Sequence, residues 1–203
     1  MAVPTKLLAE FAHVTDPARD PPSRAGLDQT DWAGVNHAHG PATDFPVLLR
    51  ALVSDDPDAR GFALQLLYET VWHQGTVWEA TAHTVPFLYR VLAADGTPDK
   101  QSVVHLLATI ADCQTGSAEH MAASRRAVGE QLDLLYPYLR DPNPEIRRAV
   151  AWAVGHYPEA VTRLLPDLEA ALRDEPDEYT RGALREAIAR HPSAAPDRGL
   201  TCE

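Results

Sequence analysis

The side chains of this 203-residue chain best suited to chemistry are its nine histidines and four tryptophans, and seven of the thirteen gather in two places. Trp32, His37 and His39 fall within residues 31–44, and Trp72, His73, Trp78 and His83 within residues 72–83. An imidazole titrates near pH 6.5, so a carboxylate that orients it makes it a general acid or base at neutral pH. In that role His73 or His37 would carry the proton, Asp31 or Glu79 would orient the ring, and Trp32 and Trp78 would stack on the substrate. The same residues, with His39, Trp72, Gln74 and His83, would serve equally as an aromatic and polar binding patch.

A structural account of the second segment competes with both. Gly75 can end the preceding helix in a left-handed conformation, and Thr76 with Glu79 has the Thr-x-x-Glu spacing of a capping box. On that account Trp72 and Trp78 are core, while His73 and Gln74 satisfy exposed backbone ends. No two histidines stand at the i, i+4 spacing of a helical metal pair, so no metal is expected, and no cofactor either. Of the two cysteines, Cys113 follows the apolar run 103–111 and Cys202 lies near the end of a polar tail. Both are expected to be free thiols, and Cys113 a buried, inert one.

The elements that must position these residues read as helices throughout. Apolar side chains recur at i, i+3, i+4 and i+7 over windows of 10 to 15 residues, and no window sustains the alternation of a half-buried strand. Residues 5–14 form a short amphipathic helix, ended by Pro17, Pro21 and Pro22. This helix and the strap up to residue 43 are expected to pack on a repetitive body spanning 44–191, with 192–203 a flexible tail.

From residue 44 the chain repeats a unit of helix, Asp/Pro turn and second helix. The turns centre on Pro57, Pro98, Pro144 and Pro176. The spacing predicts first helices over 45–53, 85–93, 131–139 and 162–172, and second helices over 58–71, 99–112, 144–156 and 177–190. In each turn proline breaks the first helix, a carboxylate caps the second, and the basic residue that follows can bridge to an acid of a neighbouring turn. The second unit has no arginine at the matching place. Trp152 is assigned to the apolar stripe of its helix and expected to be buried between the last two units.

Residues 44–191 resemble the HEAT-repeat family, including its short bacterial variants. The likeness is clearest in 141–155, where Arg147, the small residues and Gly155 match the repeat consensus. Segments 31–44 and 72–88 are similar to a group of uncharacterised bacterial HEAT-repeat proteins. The resemblance implies an all-α, HEAT-like α-α superhelix, a short right-handed solenoid of antiparallel helix pairs, which binds other molecules through its concave face.

Charge narrows the partner. Lys and Arg number 18 against 29 Asp and Glu, a net charge of −11, and both halves of the chain are acidic. A protein that tracks phosphates needs a basic surface, which argues against nucleic acid. No window approaches the ~20 apolar residues of a membrane span, and no secretory leader is evident, so a cytoplasmic monomer or weak homodimer is expected. Two functions fit. One is a module for a protein partner, a basic one by charge, an immunity-like protein over a cationic toxin being one such case. The other is a small-molecule enzyme or receptor with an aromatic and histidine pocket between 31–44 and 72–83. In either case the two segments flank one antiparallel helix pair, so Trp32 or His37 is expected within reach of His73, Gln74 or Trp78.

Overall fold

The computed structural model describes residues 25–95 and 98–191. The expected helix over 5–14, the prolines at 17–22, Cys202 and the tail over 192–203 lie outside the described residues. A 3₁₀ turn, Leu27–Gln29, leads into a hairpin of β1 (Asn36–His37) and β2 (Gly40–Pro41). Then come α1 (Phe45–Ala51), α2 (Pro57–Val71) and a second hairpin, β3 (Trp72–His73) with β4 (Thr76–Val77). Next are α3 (Glu79–Ala93), α4 (Lys100–Ala111), α5 (Ala118–Gly129) and a 3₁₀ helix, Leu132–Arg140. The last helices are α6 (Pro144–Gly155), α7 (Pro158–Asp174) and α8 (Glu178–Ala189). The fold is all-α and HEAT-like, with strand confined to two hairpins of two residues per strand among the described residues.

The chain divides into two compact units, Met1–Leu134 and Leu135–Glu203. In the first, α1 packs on α2, α3 on α4, and α5 on both α3 and α4. Phe45, Leu48, Leu49, Leu67, Leu88 and Leu106 are among its fully buried side chains. Tyr89 is also sealed, and its hydroxyl donates to the Val128 carbonyl at 2.8 Å, so its polar end is satisfied inside the core. The strap is fastened from below: Arg50, a buried guanidinium on α1, pairs with Asp28, and Arg90 of α3 donates to the Ala25 carbonyl.

In the second unit α6 packs on α8, each also touching α7, and contacts at both ends show that α6 and α8 run parallel. At one end Thr180 Oγ1 donates to the Pro144 carbonyl at 3.0 Å. At the other, a Cβ on Gly155 would sit 3.2 Å from Ala187 Cα. Close approach of the two helices is the reason for glycine at 155.

The turn arginines carry a repeated geometry. Arg60 donates to the carbonyls of Ser54 and Asp55, six and five residues back, and to the Asp99 carboxylate at 2.6 Å. Arg147 does the same with Asp141 and Pro142 and grips both oxygens of Glu175, at 2.5 and 2.7 Å. Arg181 reaches the Glu175 carbonyl, again six back, and Glu178. Each arginine thus closes its own turn, and Arg60 and Arg147 also reach an acid of the following turn. In the second helix-pair repeat Val103 holds the matching place and is buried instead.

Several boundaries differ from the sequence expectation. The helices expected over 85–93 and 162–172 begin earlier, at Glu79 and Pro158, and run through Pro86 and Pro166. The segment expected as an α-helix over 131–139 is a 3₁₀ helix containing Pro137. Its three-residue period places Leu132 and Leu135 on one face, and both are buried. Helix α5 was not expected at all. Trp152 is not buried: it is 46% exposed. The inward stripe of α6 is Ile146, Ala149, Val150, Ala153 and Val154. At 3.6 residues per turn Trp152 lies about 130° from the centre of that stripe.

Candidate functional site

The two histidine segments meet in the first unit, by a different contact from the one expected. The rings of His39 and His73 stand edge to face, 5.2 Å apart, and His39 in turn is 5.9 Å from His37. The Ala38 amide donates to the Thr70 carbonyl at 3.3 Å, tying the first hairpin to the end of α2. His39, at the hairpin tip, therefore makes the junction, rather than Trp32 or His37.

Those two side chains face inward. Trp32 is 4% exposed, lies between Phe45 at 5.3 Å and Phe87 at 5.8 Å, and donates its indole N–H to the Leu27 carbonyl at 2.7 Å. His37 stacks on Phe45 at 5.4 Å. Its Nδ1 accepts from the His39 amide at 3.1 Å, so the neutral ring carries its proton on Nε2, which lies 3.4 Å from the Asp44 carboxylate. His37 and Asp44 are both buried, and Asp44 Oδ1 has no hydrogen-bond partner among the described residues.

The second hairpin replaces the expected helix cap. Gly75 has the anticipated positive φ, 87°, but shares a two-residue hairpin turn with Gln74 at φ 52°, the twin left-handed residues of a type I′ turn. The capping role falls to Thr81 rather than Thr76 with Glu79: its hydroxyl accepts from the Trp78 amide at 3.0 Å and donates to the Val71 carbonyl at 2.7 Å. One hydroxyl thereby joins the start of α3 to the end of α2. Trp72 and Trp78 are half-buried, and neither indole N–H has an acceptor among the described residues.

His73 Nδ1 donates to the Glu69 carbonyl at 3.1 Å, near the C-terminus of α2, which leaves the Nε2 lone pair of the neutral ring outward. Burial and the neighbouring imidazoles hold the His39 pKa below the ordinary histidine value. Asp31 is exposed and spends a carboxylate oxygen on the Gly34 amide, a local turn bond. Glu79 and His83 stand one turn apart on α3, with His83 exposed. The structure thus brings together His37, His39, His73 and Asp44, whereas Asp31 serves a turn of its own. Among the described residues, no three His, Cys, Asp or Glu side chains converge to hold a metal ion. Cys113 is fully buried, and that burial pushes its thiol pKa up, away from a reactive thiolate.

A second feature was missed because Trp152 had been assigned to the core. On the outward side of α6 and α8, Trp152 and Tyr179 line an open groove of about 370 Å³. Tyr179 is 77% exposed. Arg148 contributes to the lining from α6, and Glu178, Gly182, Ala183 and Glu186 from α8. Helical spacing could have found it, since Arg148 and Trp152 are i, i+4 and Tyr179, Gly182, Ala183 and Glu186 trace one stripe of α8.

No curated protein and no solved structure matches the chain. A family model for HEAT repeats matches residues 115–189, which include α5, the 3₁₀ helix and α6 to α8. Paired helices and turn arginines agree with this match, and over residues 115–189 the chain is similar to the HEAT-repeat family.

Proposed function

We propose that the chain is a binding module for a protein partner, engaged on the outward face of α6 and α8. HEAT repeats generally serve protein–protein association. The observation that carries the reading is the exposed pair Trp152 and Tyr179 on adjacent parallel helices. Large aromatics in a groove are the side chains that dominate binding energy at protein interfaces, and leaving them in water gains the fold nothing. A net charge of −11 favours a basic partner, of which an immunity-like pairing with a cationic toxin is one case. The hairpin patch of His39, His73 and Gln74 offers a further contact surface on the first unit. An enzyme pocket between 31–44 and 72–83 is less well supported, because Trp32 and His37 are packed against Phe45 and unavailable to a substrate.

The test is a photo-crosslinking amino acid placed at position 148 of the full chain, in the same groove with Trp152 kept, in a lysate of the native host. A discrete adduct is expected, competed by excess unlabelled chain but not by a Trp152→Ala/Tyr179→Ala variant. Adducts that both competitors suppress equally would refute this face as the interface.

A further inference from the structure

Resting on that reading, we propose that the α6–α8 groove receives an arginine side chain of the partner, its guanidinium lying on the Trp152 indole and paired with the Glu186 carboxylate. Both exposed aromatic rings present negative π faces, which attract a cation. The carboxylates of the groove are not equivalent. Glu178 is already held by Arg181 and by Arg185, the latter at 3.2 Å. Glu186 makes no hydrogen bond or ion pair among the described residues, and it shares the groove with Trp152. The one cation of the lining, Arg148, is set one helical turn before Trp152 and lies 3.9 Å from Glu145, which answers part of its charge.

Space favours the same occupant. A Cβ at Gly182 would meet nothing within 4 Å, so the groove at that position is open enough for a flat group. A guanidinium can stack by its face and donate from its edge at once, which an ammonium cannot. A single contact of this kind is weak, so the arginine has to be delivered on a larger surface, and the net charge of −11 would draw a basic partner in.

The experiment uses the full, ¹⁵N-labelled chain, with the Trp152 indole signal assigned by its loss in Trp152→Phe. The probes are three short peptides of one sequence, acetyl-Leu-Ser-X-Leu-Gly-amide, with X arginine, citrulline or leucine. The arginine peptide should shift the Trp152 signal and bind about tenfold more tightly than its neutral citrulline twin. Glu186→Gln should weaken the arginine peptide severalfold and leave the helical circular dichroism unchanged. Equal binding of the arginine and citrulline peptides would overturn the inference yet leave the groove a peptide-docking face, so the protein-binding reading would stand. If none of the peptides moves the signal, the inference likewise fails, and the crosslink at position 148 decides separately whether the interface itself survives.

Discussion

Trp152 shows how one residue can be misplaced by a sound rule. It follows Ile146, Ala149 and Val150 in an apolar run, so a reading by composition puts it inside. The inward stripe is already complete with the sealed side chains of Ala153 and Val154, and the indole has no place there. Trp152→Ala should therefore change stability by less than ~1 kcal/mol in denaturant unfolding, as exposed positions do. Leu184→Ala, at a sealed position on α8, should cost about 2–5 kcal/mol. A cost of several kcal/mol for the tryptophan would put its ring back in the core. His73 sits between these cases, since its Nδ1 satisfies the Glu69 carbonyl and its ring meets His39. Its replacement by alanine should lower stability by about 0.5–1.5 kcal/mol, the worth of one hydrogen bond. An unchanged unfolding midpoint would remove the clasp role.

Among the elements, the turns were the most legible and the hairpins the least. Asp, Pro and Arg at fixed offsets announce a capped helix start whatever surrounds them, and Asp56, Asn143 and Asp177 all accept from amides of the first turn of their helices. Two-residue strands carry no alternation to detect; only Gln74-Gly75 could have signalled a turn. Helix α5 escaped because it buries little more than Ser124 and Val128 and so lacks an apolar stripe. The best-defined inter-turn link is Arg147 with Glu175, in which Glu175 is 6% exposed. The arginine's hydrogen bonds hold the Glu175 pKa below its usual range, aided by the Asp177 amide, so the folded state binds its proton less readily than the unfolded chain. The stabilisation is complete above the ordinary glutamate value of about 4.3 and is lost as pH falls through the lower, folded-state value. Glu175→Gln should flatten that acid limb of the stability profile. Arg147→Ala, which strands a buried carboxylate, should cost about 3–5 kcal/mol at pH 7. An acid limb identical in wild type and Glu175→Gln would show the pair contributes nothing to it.

For the molecule as a whole, the repeat plan dictates how damage spreads. In a stack of helix pairs each pair gains its stability from its own packing and that of its immediate neighbours, so a lost link should loosen the chain locally. The two compact units carry equivalent links, Arg60 with Asp99 in the first and Arg147 with Glu175 in the second. They differ in burial: the side chain of Asp99 is 45% exposed, whereas that of Glu175 is only 3% exposed. Water therefore weakens the first link more than the second. Amide hydrogen exchange should report both facts. Arg147→Ala should speed exchange strongly across α6 and α8 while α1 to α4 keep wild-type protection. Arg60→Ala should produce a smaller rise, confined to α2 and α4. A uniform rise over every helix from the Arg147 substitution would mean that the chain opens as one cooperative body, and the local account of its stability would have to be given up.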